Sequence, residues 1–292
     1  MVRSCALKGY RGQGTGDRGR GQEMTSGAYG VTERDVAADV TELHVERIRR
    51  IGCTVVAGGF TDGELDDLSI RLDAVLEQQV QEFGGDRLEA IGDRQTARCP
   101  LAYDEAFLRL AAHPAVLAIV RRLLGEYVVL MQQNGVFNAP RQDHTQRAYH
   151  RDLPYQHWVA SEPLAISALF CLDPFRPETG ATTILPGSHK FERFPSERLA
   201  AEIDVPIAAD RGSFIVFDSM LFHRAGVNRT DTMRRAVNHV YTIPLIAQQI
   251  SLPGVLGGRH SDDPSLARLL GYDSAPASSV GSWRERRLNR VR

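Results

Sequence analysis

The chain has 292 residues, 42% of them hydrophobic, and its 35 basic residues are nearly balanced by 36 acidic ones. That length can bury one sizeable core, and a near-neutral balance offers no basic excess that would argue for a nucleic-acid partner. The longest apolar runs, such as 116–120 and 243–246, are far too short to cross a bilayer, and the N-terminus lacks an apolar signal-peptide core. No membrane association and a cytoplasmic location are therefore expected. Cys5, Cys53, Cys99 and Cys171 form no Cys-x-x-Cys pair, which favours reduced thiols over disulfides.

Residues 1–23 are rich in Gly and Arg and almost without apolar periodicity, so they read as a disordered leader. Met24 follows directly and offers an alternative translation start. Residues 24–275 read as a single domain, with a helical part at 33–125 and a β core at 127–246; residues 276–292 read as a polar, loosely held tail. Val36, Val40, Leu43 and Ile48 recur at helical spacing up to Gly52, and Thr54-Val55-Val56 then reads as a short strand. Thr61 and Glu64 have capping-box spacing, and Leu65, Leu68, Leu72, Leu76 and Val80 continue a helix until Gly84-Gly85 stops it. A further helical stretch runs from Glu105 towards Leu124, broken at Pro114.

After residue 126 the period changes. Segments 127–138, 146–152, 164–172, 181–185, 212–217, 221–224 and 234–244 are short, rich in Val, Ile, Phe and Tyr, and separated by Gly, Pro, Asp and Asn. This pattern belongs to a β-sandwich or barrel, so the fold class is mainly β with flanking helices. Asp263-Pro264 then has the N-cap and first-turn form of a helix reaching Leu270, closed by Gly271.

The chemistry concentrates in the β part. In Tyr149-His150-Arg151-Asp152 the His-x-Asp spacing on an extended strand aims an imidazole and a carboxylate to one face. With His223 from a distant strand they match a two-histidine, one-carboxylate facial triad, which leaves open positions on a non-haem Fe(II) ion. His144, His157 and His189 lack the spacing to join it. Glu178-Thr179-Gly180-Ala181-Thr182 runs into Leu185-Pro186-Gly187-Ser188-His189-Lys190, and His223 opens His-x-x-Gly-x-Asn-x-Thr-x-x-x-Arg-Arg-Ala, which ends at Ala236.

Together these segments closely resemble the phytanoyl-CoA dioxygenase family of Fe(II)/2-oxoglutarate-dependent oxygenases, over roughly residues 46–245 and most specifically over 149–236. The resemblance implies a double-stranded β-helix, or jelly roll, with His150, Asp152 and His223 as both metal ligands and catalytic centre. It implies that Arg234 grips the far carboxylate of 2-oxoglutarate, which is converted to succinate and CO2 with O2 as the other cosubstrate. A planar guanidinium suits that role because it pairs bidentately with a carboxylate, whereas the neighbouring Arg235 should point away on a regular strand. Related halogenases have a small residue in place of the carboxylate ligand, so the presence of Asp152 argues for oxygenation, with hydroxylation the expected outcome and desaturation, ring closure and epimerisation left open. An amide of 130–134 is expected to contact 2-oxoglutarate or substrate, and Gln133 is chosen over Gln132. Tyr155, His157 and Trp158 fall on a loop after the ligands, where Trp158 either covers the barrel mouth or stacks on substrate. The substrate is expected to be a small organic molecule, and the Ala- and Arg-rich composition leans towards a GC-rich bacterial gene and secondary metabolism. An acyl-CoA hydroxylase and a non-catalytic ligand-binding barrel are the alternatives.

Overall fold

The computed structural model describes residues 39–142, 144–153 and 155–289; the leader expected over residues 1–23 and Val36 of the first expected helix lie outside them. Helix α1 (Val40–Ile51) starts where Asp39 accepts a hydrogen bond from the Glu42 amide at 2.8 Å, and it ends at Gly52, whose φ of 99° suits glycine. Strand β1 (Cys53–Ala57) follows at once. Helix α2 (Asp62–Phe83) carries the expected reciprocal cap between Thr61 and Glu64, and it buries Leu65, Leu68, Leu72 and Val75 on one face. Helix α3 (Gly85–Ala90), strand β2 (Thr96–Arg98) and helix α4 (Pro100–Tyr103) are short. The helix expected from Glu105 is three pieces, a 3-10 turn at Glu105–Phe107, α5 (Leu108–Ala111) and α6 (Pro114–Leu124), with Pro114 starting the last.

The β part comprises β3 (Val129–Asn138), β4 (Ala165–Cys171), β5 (Thr183–Ile184), helix α7 (Glu197–Ile203), β6 (Val205–Pro206), β7 (Ser213–Asp218), β8 (His223–Arg224) and β9 (Arg234–Thr242). Helices α8 (Leu252–Leu256), α9 (Pro264–Leu269) and α10 (Val280–Asn289) follow. One sheet has the order β1-β7-β4-β9-β3-β2 and the other β6-β5-β8, every pairing being antiparallel. This is the jelly-roll arrangement of a double-stranded β-helix, although the two sheets do not close into one continuously hydrogen-bonded barrel.

The large sheet is covered on one face by the helices. Leu65, Leu68, Leu72 and Val75 of α2 share a core with Phe170, Phe214, Val216 and Tyr241. Gly135 on β3 permits this approach, since a Cβ there would meet Leu72 Cδ1 at 2.6 Å. A second apolar cluster, including Leu169, Ile184, Ile215 and Leu221, lies between the sheets.

One expected strand is corrected. Residues 146–152 do not form a strand: Thr145–Arg147 is a 3-10 turn, and His150 makes only a single antiparallel bridge to His223. The local cause is His144, whose Nδ1 accepts from the Gln146 amide at 3.0 Å and so commits the backbone to a turn. The described part of the expected loose tail contains α10, which is polar and exposed yet helical. Among the described residues no helix is long and apolar enough to cross a membrane, and Cys53, Cys99 and Cys171 are free thiols.

Candidate active site

The first two predicted ligands are held by backbone rather than by a regular strand. His150 and His223 exchange main-chain hydrogen bonds of 2.9 and 3.1 Å, which sets their rings side by side with centroids 4.3 Å apart. The Asp152 amide donates to Ser219 O at 3.0 Å, fixing the carboxylate to the turn before β8. One ligand atom from each of His150, Asp152 and His223 falls within 4.8 Å of the others, and the three can hold a metal ion.

Protonation follows from the neighbours. His150 Nδ1 lies 3.0 Å from Ala148 O, and His223 Nδ1 lies 3.0 Å from Leu221 O. A carbonyl only accepts, so each Nδ1 carries a hydrogen, and the tautomer this selects for the neutral ring has its lone pair on Nε2. His150 Nε2 is buried and meets no partner among the described residues, while His223 Nε2 faces Asp152 Oδ1 at 3.6 Å. Burial pushes the His223 pKa below its ordinary value, and the Asp152 charge opposes that shift. On the carboxylate, Oδ2 accepts from Ser167 Oγ at 2.5 Å and from Asn238 Nδ2 at 3.4 Å, and Ser167 in turn meets Ser219 Oγ at 2.8 Å. Oδ1 is thereby left towards the histidines. Two neutral imidazoles and one carboxylate, each oriented by a second hydrogen bond, fit Fe(II) with open positions.

Arg234 lies in the same cavity, whose lining also includes Thr182, Phe217, Arg224 and Asn238. Its guanidinium is buried, donates to Gly180 O at 3.1 Å and stacks over the Phe175 ring at 4.3 Å. Its Nε has no partner among the described residues, and the nearby acid Asp173 is taken by Arg235. Burial pushes the Arg234 pKa down to about 10, the direction expected for a cation without a carboxylate beside it. Gly180 explains its place in the motif: at φ 76° it packs against β3 and the turn after β8, where a Cβ would meet Asn138 Nδ2 at 2.5 Å and Gly226 O at 2.6 Å. Asn228 caps that turn, its Oδ1 accepting from Thr230 N and Thr230 Oγ1. Arg235 points the other way and bridges Asp73 of α2 and Asp173.

Gln133 does not reach the cavity, which corrects the expectation that it contacts 2-oxoglutarate. Its Oε1 accepts from Leu101 N at 2.9 Å, and its Nε2 contacts Phe107 O at 2.9 Å and His239 Nε2 at 3.0 Å, all in the buried layer beneath the helices. Alternation places its neighbours Gln132, Asn134 and Val136 on the opposite face, where they line an outer cleft of about 680 Å³ that shares His150, Asp152 and Asn238 with the inner cavity. Tyr155 lines this cleft, and Trp158 is half exposed outside its lining. His144 is buried, with its pKa pushed down to about 4 by burial and by the Arg234 charge, and it stands outside the ligand cluster. His189 reaches Arg49 O at 3.2 Å and ties its turn to α1. Asn238, Ser167 and Ser219 are site residues that motif spacing missed. Asn238 was within reach of strand parity, since it stands four residues beyond Arg234 on the same face.

Residues 48–236 match the family model described as "Phytanoyl-CoA dioxygenase (PhyH)". The chain is 35% identical to Uncharacterized protein Rv1501 of Mycobacterium tuberculosis, over 71% of this chain and 77% of that one. It is 28% identical to Dioxygenase af480 of Aspergillus fumigatus, over 72% and 70% of the two chains. Among solved structures it is similar to EctD from S. alaskensis with 2-oxoglutarate and 5-hydroxyectoine (TM-score 0.60, 22% identity, 73% of this chain and 79% of that one). It is also similar to the epimerase SnoN in complex with Fe3+, alpha ketoglutarate and nogalamycin RO (TM-score 0.54, 19% identity, 70% and 84%). The chain belongs to the phytanoyl-CoA dioxygenase family and is a non-haem iron, 2-oxoglutarate-dependent dioxygenase.

Proposed function

We propose that His150, Asp152 and His223 ligate Fe(II), that Arg234 binds the distal carboxylate of 2-oxoglutarate, and that the enzyme hydroxylates a small organic molecule in bacterial secondary metabolism. The observation that carries the reading is Arg234, a buried guanidinium with no acidic partner among the described residues, in the cavity that also holds the three ligands. A buried cation is stable only when paired, and a dicarboxylate reaching in from the metal supplies the missing charge. When bound, iron with 2-oxoglutarate and O2 supplies the oxidising chemistry.

The chain's own residues orient and protect. Ala148 O and Leu221 O hold the hydrogen of each ring on Nδ1, so that the neutral tautomer turns its Nε2 lone pair to the site, and Ser167 holds Asp152 by the oxygen turned away from the rings. Val136, Leu169 and Phe217 line the cavity with apolar surface that keeps water from the reacting centre. The outer cleft is of a size for a small molecule and opens onto the ligands. The small-molecule reading is supported by SnoN and EctD, whose structures hold nogalamycin RO and 5-hydroxyectoine.

The test is anaerobic addition of Fe(II) and 2-oxoglutarate to the folded protein, which should give a weak visible metal-to-ligand charge-transfer band. The band should be lost in His150→Ala and His223→Ala. Substrate-dependent succinate release should be abolished in those two variants and in Asp152→Ala, with circular dichroism unchanged. Absence of the band in the folded wild type would sink the assignment.

A further inference from the structure

Asn238 stands where the inner cavity meets the outer cleft and lines both. Its amide has one sensible orientation, because Asp152 Oδ2 is an acceptor and faces Nδ2 at 3.4 Å. Oδ1 is therefore turned away from the carboxylate, and this buried oxygen meets no donor among the described residues. An acceptor held out of water beside a metal cluster calls for a donor from whatever enters the cleft.

The surroundings define what can enter. Asn238 pairs across the strands with Asn134, and two residues along in unbroken register Gln132 stands opposite Val240. Gln249 completes a wall of uncharged carboxamides, faced by Met131, Leu153 and Ile246. The two arginines that border the cleft are already engaged. Arg98 is held by Asp93, with Nε to Oδ2 at 2.9 Å. Arg151 donates to the carbonyls of Met220, Ser188, Phe191 and Glu192. Asp93 neutralises Arg98, and the Arg151 N–H groups are engaged by those carbonyls, so neither turns a free donor fork towards a substrate carboxylate or phosphate, and burying such a group without a partner is costly.

Building on the oxygenase reading above, we propose that the substrate is an uncharged molecule bearing a hydroxyl or N–H donor that Asn238 Oδ1 accepts, so that Asn238 is a specificity-determining residue fixing which carbon faces the metal. A thioester of a polyphosphorylated carrier does not fit such a cleft, whereas an alcohol with an apolar skeleton does.

The experiment uses the Fe(II)-loaded full chain and a library of uncharged polycyclic and macrocyclic alcohols, each paired with its methyl ether and its phosphate monoester. Succinate release is read above the uncoupled background. At least one alcohol should stimulate release, with its ether and phosphate ester about ten-fold or more weaker in kcat/KM, the loss expected when one hydrogen bond is removed from a buried acceptor. Asn238→Leu should raise KM for that alcohol by about ten-fold or more and erase the preference over the ether, and Asn238→Ser, which keeps an oxygen, should restore part of it. Both variants should retain the 2-oxoglutarate charge-transfer band. The proposal is overturned if no alcohol stimulates release although the band forms, if an ether or phosphate ester is as good, or if Asn238→Leu keeps the preference. It is also overturned if Asn238→Leu loses the band, which would assign the residue to Asp152 alone. Failure of the band in the wild type would instead defeat the underlying oxygenase reading.

Discussion

At the scale of single residues, adjacent arginines on β9 make opposite use of the same side chain. Arg234 turns into the cavity, where among the described residues it meets a carbonyl and an aromatic face, whereas Arg235 turns outward between Asp73 and Asp173. Arg234→Lys keeps the charge but replaces a planar fork with one ammonium, so two parallel hydrogen bonds to a carboxylate can no longer form. Losing one charge-assisted bond costs about 1.5–3 kcal/mol, so 2-oxoglutarate should bind roughly ten- to more than a hundred-fold more weakly while Fe(II) affinity changes little. Arg235→Lys should leave 2-oxoglutarate affinity unaltered. Titration of 2-oxoglutarate into both Fe(II)-loaded variants checks this, and equal affinities would remove Arg234 from the cosubstrate site.

At the scale of elements, β3 shows what sequence can and cannot disclose. The His150, Asp152 and His223 spacing and the Arg234 register were legible because the motif fixes residue types at fixed separations. The capping box of α2 and the Asp263 cap of α9 were legible because each is a local contract between a side chain and the next turn. The inward face of β3 was not legible. Both faces of this strand are buried, Gln132, Gln133 and Asn134 alternate without an apolar contrast, and a bulge between Leu130 and Gln132 shifts the register. Helix α7 is too short, at seven residues, for apolar periodicity to disclose it, although Ser196 caps it, its Oγ accepting from Leu199 N at 3.3 Å. Segment 146–152 read as a strand because its composition is extended in type, but side-chain capping by His144 overrode it. The placement of Gln133 has a measurable consequence. Gln133→Leu strips partners from Leu101 N and Phe107 O, each costing about 1–3 kcal/mol when left unsatisfied in the interior. Thermal unfolding should therefore fall by several degrees or more, while the 2-oxoglutarate affinity of the folded variant stays at the wild-type value.

At the scale of the whole molecule, buried titratable groups set an acid limit on stability. His239 is fully buried; its Nδ1 donates to Ala168 O at 3.0 Å, and its Nε2 faces the Gln133 amide nitrogen at 3.0 Å, which already suits a neutral ring. Burial pushes its pKa down to about 4, and His144 is likewise at about 4, against an ordinary 6.5. The unfolded chain thus binds protons that the native state refuses, so stability is lost as pH falls from 6.5 towards 4 and levels off below, by roughly 3 kcal/mol for each histidine. Asp218 acts in the opposite sense. Burial raises its pKa to about 6 from 3.8, so between those values the native state holds a proton that the unfolded chain has released, and acidification favours folding. Two histidines outweigh one carboxyl, and the net expectation is a decline concentrated between pH 6.5 and 4. Asp218→Asn keeps an acceptor for the Met220 amide, which Oδ1 meets at 2.8 Å, but removes the buried charge. That variant should be more stable than wild type at pH 7, by up to about 3 kcal/mol, and should lose stability more steeply on acidification because nothing then opposes the histidines. Urea unfolding of both proteins from pH 7.5 to 4.5, with a chelator present so that metal binding does not contribute, measures the two slopes. A flat wild-type profile, or an Asp218→Asn profile shallower than wild type, would show that these burials do not control the acid limb.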